Sequence, residues 1–499
     1  EKYVFDPIEY KYLCKKIHQK NAENHSLRCD LEIKLQIADE FINDIIYFPW
    51  NVDFRGRAYP VPPNLNHMGE DKCRGMLYFA HGKPLGKRGY EWLKCHLCNL
   101  FGNNKIPFHE RVQWTDNHID DIIDSAENPI EGKRWWTTAE DPYQALAACF
   151  EISEAIKTGN PETYVCHLPI HQDGSCNGLQ HYAALGRDKP GGSAVNLTPA
   201  DRPQDVYTEV LKKVLLRIDQ DANSEFNEAN IQELSSPESQ ALLKQMQEKS
   251  KKYAQMIQGK VDRKVIKQTV MTSVYGVTTI GARDQVHSKL QEKLFPQGAN
   301  SKEEEDEAFK AASYLARLTL LSLGDLFTSA DEIMQWLGDV AASVGSQGHV
   351  MSWITPLGLP VMQPYRKHVT HTVRTILQNI TLSLEDEALP VSKQKQRTAF
   401  PPNYVHSLDS THMMMTSLKM RDRNLQFTAV HDSYWTHACD VDIMNEELRN
   451  CFVELYQLPL LENLKESIEL RYPSITLPPV PNRGQLDIEN VKGSPYFFH

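Results

Sequence analysis

The sequence predicts an α+β fold that is mainly helical. Apolar residues recur at helical spacing over residues 1–46, 86–160 and 203–290. Shorter segments with alternating apolar and polar residues between prolines or glycines predict a few strands, for example at 48–60 and 350–361. Apolar residues make up 41% of the chain and charged residues 24%. This composition supports a sizeable core and excludes both intrinsic disorder and a small disulfide-stapled scaffold.

The first half of the chain alternates long helical segments with shorter irregular ones. After the first helical segment, Phe48–Pro60 predicts a strand and a turn. Residues 86–160 predict mainly helix, and the glycine-rich stretch Leu168–Gly192 is expected to be irregular. Helical periodicity returns over 203–290, with a polar, insertion-like section near Asp219–Gln247.

The second half adds an acidic block and segments of β character. Glu303–Glu307 is expected at the solvated start of a helix, where the helix dipole favours negative charge. The β-branched residues of Val350–Val361 predict strands. Thr370–Ser383 predicts a hairpin, followed by a flexible basic loop at Lys393–Arg397. The sequence contains no internal repeat.

The charge balance is acidic, with 54 Lys and Arg against 65 Asp and Glu and a net charge of −11. Taken alone, this excess of acid disfavours a nucleic-acid partner, since phosphate binding usually shows as excess base. Residues 244–267 differ, because eight Lys or Arg against two acidic residues give them a local net charge of +6. This segment is compatible with phosphate binding, although a solvated helix face explains its charge more simply.

Membrane insertion and a disulfide framework are both unexpected. No apolar run reaches the ~20 residues that span a bilayer, and Leu315–Phe327 is interrupted by charged residues. The 10 cysteines are scattered over 499 residues and indicate a reducing compartment. Cys95 and Cys98 lack a second pair at zinc-binding spacing, so we interpret them as structural. His167 and His171 are also interpreted as structural, because a proline between them disfavours a helix.

Two segments that are distant in sequence each present an aspartate at the end of a predicted strand. Asp173 follows the apolar stretch Val165–Ile170, and Asp432 lies at the tip of a hairpin after Leu425–Val430. Either residue alone is more simply a turn or capping residue. Together they are the ligands that two Mg²⁺ ions ~3.5–4 Å apart require, one activating an attacking hydroxyl and one stabilising the leaving oxygen.

A basic segment from Arg263 to Gly276 predicts a helix with a functional face. Arg263, Lys267, Met271 and Tyr275 recur at i+4 spacing and form a slowly drifting stripe, and Gly276 is a natural helix terminator. Two cations followed by an aromatic ring suit a triphosphate that lies along the helix with a base stacked near its end. Taken alone, an amphipathic helix with exposed cations and a packed tyrosine explains the segment as well.

In their order and separations, Asp173–His181, Arg263–Gly276 and His431–Ser433 resemble the three polymerase motifs of the single-subunit, phage-type RNA polymerases. Asp53–Tyr59 is similar to the upstream Asp-x-Arg-Gly-Arg signature of that family, and the segment Pro402–Asp409 is similar to the one before its last motif. The similarity runs from residue 48 to the aromatic end of the chain at 496–498. Its details are most similar to the mitochondrial branch.

The resemblance implies a right-hand polymerase fold with palm and fingers and only a remnant of the thumb. The implied parts, in chain order, are 1–50 as a helical thumb remnant or linker, 51–189 as the first part of the palm, 190–405 as the fingers with a specificity-loop region around 367–397, and 406–499 as the second part of the palm with the C-terminal tail.

The resemblance also implies roles for single residues. Asp173 and Asp432 would hold two Mg²⁺ ions, with Lys267 as a further catalytic residue that donates a proton to the departing pyrophosphate. The substrate-binding residues would be Arg263 at the triphosphate, Tyr275 beside the nascent base pair, His406 at the ribose or against Tyr275, Arg57 near the template–product hybrid, Gly178 where space is left for a 2′-hydroxyl, and Tyr207 on the fingers side.

The implied reaction is attack of an RNA 3′-hydroxyl on the α-phosphate of a nucleoside triphosphate on a DNA template. The implied partners are the DNA template, the RNA product, NTPs and mitochondrial transcription initiation factors, and the implied location is the mitochondrial matrix. Residues 1–52 are all that precede Asp53, and the chain starts without Met. We therefore expect a processed or truncated piece that lacks most of the thumb and of the promoter-facing region.

Two alternatives stay open. A family-A-like DNA polymerase would share the two carboxylates and the helix, but it carries Glu where this chain has Gly178, and there the Glu blocks a 2′-hydroxyl. It also typically carries Glu where this chain has Ser433, so both positions favour RNA synthesis. A non-catalytic nucleic-acid-binding protein with a polymerase fold is the other alternative, although Asp173, Asp432 and Lys267 are all present.

Overall fold

A computed structural model describes residues 7–223, 237–295, 302–367, 369–384 and 389–499. Helices dominate this part of the chain, as the sequence predicts. The elements of the first half are α1 (Pro7–Glu40), β1 (Trp50–Val52), β2 (Ala58–Pro60), α2 (Asp71–Gly75), β3 (Lys83–Pro84), α3 (Gly86–Leu100), α4 (Phe108–Asp116), α5 (Ile119–Glu127), α6 (Pro142–Lys157), β4 (Val165–Cys166), β5 (Pro169–Asp173), α7 (Asn177–Gly186), α8 (Lys189–Ala194) and α9 (Val206–Asn223).

The second half continues the helical pattern and returns to the central sheet near its end. Its elements are α10 (Pro237–Ile257), α11 (Arg263–Ser273), α12 (Thr279–Leu294), α13 (Lys302–Gly324), α14 (Thr328–Ser346), β6 (Ser352–Ile354), β7 (Pro360–Met362), β8 (Val369–Arg374), β9 (Asn379–Leu384), α15 (Lys393–Asp422), β10 (Thr428–Val430), β11 (Ser433–His437), α16 (Val441–Gln457) and α17 (Leu460–Arg471).

One antiparallel sheet of three strands, ordered β10-β11-β5, joins segments from opposite ends of the chain. Its register pairs Ser433 with Asp173 and Trp435 with His171. The Trp435 and His171 rings stack with their centroids 3.7 Å apart and an interplanar angle of 11°. This stacking fills the sheet face with apolar surface and favours the observed register over a one-residue slip.

The glycine-rich stretch 168–192 is not irregular, as the sequence suggested, but folds into β5, α7 and α8. Every residue of α7 is buried, and two of its residues are glycines. A Cβ at Gly186 would lie 2.8 Å from Ser329 Cβ on α14. The glycines therefore allow α14 to approach α7 closely, and this tertiary packing outweighs their low helix propensity.

The basic segment Lys393–Arg397, expected to be a flexible loop, forms the first turns of α15. The reason is a buried contact, because Gln396 Nε2 donates to the Gln363 carbonyl at 3.2 Å and Gln396 Oε1 accepts from Met351 N at 3.1 Å. Other predictions are confirmed: the hairpin at 370–383 is β8 and β9, and the acidic block lies in the first turns of α13. Part of the polar section 219–247 lies outside the described residues.

A large hydrophobic core surrounds α7, and a smaller one lies between α3, α6 and β5. Both Cys95 and Cys98 are buried in α3 with free thiols, as the structural interpretation predicts. Within the described ranges, none of the helices has the length and apolar character needed to cross a membrane. The central sheet lies where these two cores meet. The candidate site is at the end of the sheet where β5 ends and β10 turns into β11.

Candidate active site

The two predicted carboxylates lie at the same end of the central sheet. Asp173 is the last residue of β5, and Asp432 lies in the tight turn between β10 and β11, where Val430 pairs with Ser433. The register that pairs Ser433 with Asp173 makes the two aspartates neighbours across the strands. Gly174 N also donates to the Asp432 carbonyl at 3.3 Å, which extends the contact beyond the ladder. The strand-end and hairpin-tip predictions are therefore confirmed.

Burial and neighbouring negative charges raise the pKa of both carboxylates above that of an exposed aspartate. Burial, with the charge of Asp409 second, raises the pKa of Asp432 to about 6. The Asp173 side chain keeps contact with solvent, but the protein packed around it removes part of its hydration and raises its pKa. A hydrogen bond from Ser433 opposes that rise, and the charge of Asp432 adds to it.

The donor set suits Mg²⁺. Among the described residues, no group of three or more His, Cys, Asp or Glu side chains could hold a metal ion. The site offers two carboxylates, Asp173 and Asp432. Neither forms an ion pair with a Lys or Arg of the described chain. Mg²⁺ ordinarily keeps several waters and binds through one or two carboxylates plus substrate phosphates, so the residues present fit this ion.

Arg57 lies beside Asp432 and is held by a buried ion pair. Its guanidinium pairs with Asp409, with Nε donating at 3.3 Å, and the positive charge of Arg57 lowers the pKa of Asp432. Asp53 shapes the loop that carries Arg57, because Asp53 Oδ1 accepts from Arg57 N at 3.0 Å. Gly56 sits at a φ of +103° in this loop, a backbone conformation that favours glycine. The structure thus brings Arg57 to the carboxylate end of the sheet.

Helix α11 places its cations in two different environments. The Arg263 guanidinium donates to both carboxylate oxygens of Asp205, at 2.7 and 3.1 Å. It also lies 5.0 Å from the centroid of the Tyr207 ring, which is buried. Lys267, one turn further along, is exposed and has no ion pair within the described residues. Arg263 and Tyr207 therefore form one cluster with Asp205, whereas Lys267 is open to a ligand.

Tyr275 does not share the face of a helix with these cations, contrary to the predicted stripe. Helix α11 ends at Ser273, and Tyr275 lies in the following turn, where Gly276 adopts a φ of +73°. The Tyr275 ring packs against His406, with centroids 4.8 Å apart. A Cβ at Gly178 would lie 2.6 Å from Val274 Cγ2 and 3.6 Å from Tyr275 Cε1. Gly178 thus lies directly beneath this turn.

Lys105 is a site residue that the sequence did not reveal. It lies in the loop between α3 and α4, and burial lowers its pKa to about 8. The charge of Asp205 opposes this shift, whereas the charges of Arg263 and Lys267 add to it, and the charge of Lys105 in turn lowers the pKa of Asp173. Lys105 is therefore close enough to interact electrostatically with both the cationic helix and Asp173. Because it is a single lysine in a loop, no periodicity marks it.

The last residues of the sequence pack against the strand end that carries Asp173. Phe497 and Phe498 are fully buried in the large core, and Gly174 forms a β-bridge with Phe498. His499 N donates to the Asp173 carbonyl at 3.0 Å. The aromatic terminal segment therefore supports the backbone of the strand end that carries Asp173.

Comparison with known proteins identifies the family. Residues 83–477 match the family described as DNA-dependent RNA polymerase. The chain is 50% identical over 495 residues to the mitochondrial DNA-directed RNA polymerase 1B of Nicotiana tabacum, covering 98% of this chain and 47% of that protein. It is 50% identical over 497 residues to the chloroplastic/mitochondrial RNA polymerase 2 of Nicotiana sylvestris, covering 98% and 46%. With the mitochondrial RNA polymerase 1 of Arabidopsis thaliana it shares 49% identity over 493 residues, covering 98% and 48%.

These relatives agree with the resemblance drawn from the motifs, and they include forms of both organelles. The chain spans about half the length of the curated relatives that it matches. With a family match over residues 83–477 and half of its aligned residues identical to those of named polymerases, the chain belongs to the DNA-dependent RNA polymerase family.

Proposed function

We propose that this chain is the catalytic part of a DNA-directed RNA polymerase, which adds nucleotides from NTPs to an RNA 3′ end on a DNA template. The observation that carries the proposal is the β11–β5 register, which brings Asp173 and Asp432 together from distant parts of the chain. The charges of Arg263 and Lys267 on α11 act on Lys105, and the charge of Lys105 acts on Asp173, which supports a triphosphate-binding role for these cations. Two carboxylates facing a cationic surface are what phosphoryl-type transfer requires.

Asp173 and Asp432 would hold two Mg²⁺ ions. When bound, these ions lower the pKa of the attacking 3′-hydroxyl and neutralise charge on the leaving pyrophosphate. The protein's own contribution is to hold two carboxylates in a partly desolvated site, where burial, with the charge of Asp409 at Asp432 and the charge of Asp432 at Asp173, raises the pKa of each. Arg57 opposes the rise at Asp432, because its positive charge favours the ionised form of that carboxylate.

The three cations would have different roles in binding the triphosphate. Lys267 is exposed and free to reach a phosphate oxygen, and we propose that it also transfers a proton to the departing pyrophosphate. Lys105, with its pKa lowered to about 8, would supply a further cation for phosphate binding. Arg263, paired with Asp205, would bind a phosphate only by sharing its guanidinium with that carboxylate or by releasing it.

The parts of a right-hand polymerase follow as proposals from the same resemblance. The central sheet with its flanking helices would correspond to the palm (51–189 and 406–499), the helices between them to the fingers (190–405), and the segment 1–50, which contains α1, to a thumb remnant. The hairpin of β8 and β9, in the region 367–397, would approach DNA. We further propose an organelle location, because the relatives include both mitochondrial and chloroplastic forms. The more specific proposal is the mitochondrial matrix, with mitochondrial transcription initiation factors as partners.

Elongation on a preformed RNA–DNA scaffold with Mg²⁺ tests the proposed function. We expect this chain to extend the RNA with NTPs, and we expect Asp432→Asn to bind the scaffold without extending it. Preference for dNTPs would instead support a DNA polymerase. Scaffold binding without extension by the unmodified chain, at any NTP concentration, would support a non-catalytic binding protein.

A further inference from the structure

A chain of three side chains links the loop after β1 to the ring beside Tyr275. Arg55 donates to Asp53 Oδ2 through Nε at 2.9 Å and through Nη2 at 2.7 Å. Its remaining nitrogen, Nη1, lies 2.9 Å from Nδ1 of His406 on α15. Asp53 is itself fixed, because its Oδ1 accepts from the backbone N–H of Arg55 at 2.9 Å. The guanidinium is therefore held on one side by the loop and faces the imidazole on the other.

This contact determines which nitrogen of His406 carries hydrogen. A guanidinium has only donors, so the Nδ1 that faces Arg55 must accept and is unprotonated. The ring is also neutral, because burial, then the charges of Arg57 and Arg55, lower the pKa of His406 to about 2. A neutral imidazole carries one hydrogen, which must therefore lie on Nε2. Arg55 thus leaves His406 with a single donor on the far side of the ring.

The donor at Nε2 has no hydrogen-bond partner within the described part of the protein, where the one hydrogen bond of the His406 side chain is the contact with Arg55. The ring packs beside Tyr275, and Gly178 lies beneath the same turn. We propose that Arg55 is a positioning residue that holds His406 as the Nε2–H tautomer. The resemblance already implies that His406 lies at the ribose, and the tautomer set by Arg55 would make it a hydrogen-bond donor to the 2′-oxygen there. This inference rests on the proposed polymerase function.

A purely structural role for Arg55 predicts something different. The Ser407 hydroxyl donates to the Arg55 carbonyl at 2.8 Å, so the backbone of Arg55 already ties the loop to α15. Loss of the side chain for structural reasons would slow the use of ribo- and deoxyribonucleotides equally. Loss of the donor on His406 would slow ribonucleotides alone, because a deoxyribonucleotide has no 2′-oxygen to accept.

The first experiment reads the tautomer without relying on activity. In ¹⁵N-histidine-labelled protein, we expect the Nδ1 of His406 to show the chemical shift of an unprotonated nitrogen and Nε2 that of a protonated one, with His406→Gln assigning the signals. Arg55→Met, which removes the donor, should mix the tautomers or reverse them, and Arg55→Lys, which keeps a donor-only group, should preserve Nε2–H. A protonated Nδ1 in the unmodified protein would overturn the inference.

The second experiment reads the substrate. On an RNA–DNA scaffold, kcat/KM for CTP, 2′-fluoro-dCTP and dCTP should fall in that order, because fluorine only accepts, and weakly. Arg55→Met should reduce the CTP-to-dCTP ratio by about tenfold, the value of one hydrogen bond, with Arg55→Lys close to the unmodified ratio. An unchanged ratio in Arg55→Met, or equal losses for both substrates, would contradict the positioning role. If the unmodified chain extends no scaffold, the proposed function fails, whereas the tautomer result still stands on its own.

Discussion

The two sides of the candidate site are built in different ways. On the sheet side, Asp173 and Asp432 are placed by backbone pairing, and burial raises the pKa of both carboxylates. On the helix side, Lys267 is exposed and held by no ion pair of the described chain, whereas Arg263 is tied to Asp205. The sheet side is therefore preorganised before a ligand arrives, whereas the helix side has to adjust to its ligand.

The largest expected effect tests the sheet side. Asp432→Asn removes one carboxylate with little change in shape, so elongation should fall about 10³-fold or more while scaffold binding is retained. The fold should be as stable as before or more stable, since a repelling buried charge is lost. Elongation rates and thermal unfolding check both parts, with Asp422→Asn at the exposed end of α15 as the control. Persisting elongation would show that Asp432 is not a metal ligand.

The next effect tests the helix side. Lys267→Arg keeps the charge but resists deprotonation, so kcat should fall about 10²-fold while NTP affinity changes only a few-fold. Single-turnover extension at several NTP concentrations separates the two quantities. Lys264→Arg is the matched control, because Lys264 is an exposed cation of the same helix. Equal losses in rate and affinity would make Lys267 an electrostatic ligand and not a proton donor.

A third test concerns the packing of α7 against the turn that follows α11. Gly178→Ala would place a Cβ 2.6 Å from Val274 Cγ2 and should reduce the free energy of unfolding by about 1–3 kcal/mol. Val274→Ala in the same chain should recover part of the loss, because it removes the clashing methyl group. Gly324→Ala, at a position with nothing within 4 Å, is the control in denaturant unfolding. Without recovery in the double variant, the proposed contact would be wrong.

The smallest expected effect is a pH dependence of stability. The pKa of Asp432 is raised to about 6 in the folded protein, so the native state binds more protons than the unfolded state between about pH 4 and pH 6. Stability should therefore fall as pH rises through this window, by about 1 kcal/mol after allowance for solvent screening. Asp432→Asn should flatten the decline in unfolding experiments across this range, and an unaltered slope would contradict the raised pKa.

The sequence predicted correctly those elements whose structure depends on residues that are close together in the chain. The alternating residues before His431 predicted a hairpin with Asp432 in its turn, and the structure confirms it. Periodicity also predicted the helix after Arg263, but not its end at Ser273, because the turn that carries Tyr275 packs on α7. The glycine-rich stretch 168–192 was misjudged for the same reason, since its glycines serve helix packing and not chain flexibility.

The sequence by itself determined the family, the order of the motifs and the residue types that a two-carboxylate site requires. Only the tertiary structure decided how these residues act on one another: it brought Lys105 within electrostatic reach of the cations and of Asp173, left Lys267 exposed, and placed Arg55 against His406. The physical reason is that pKa values, tautomers and ion pairs depend on distances and burial between segments hundreds of residues apart. Local periodicity carries no information about those distances.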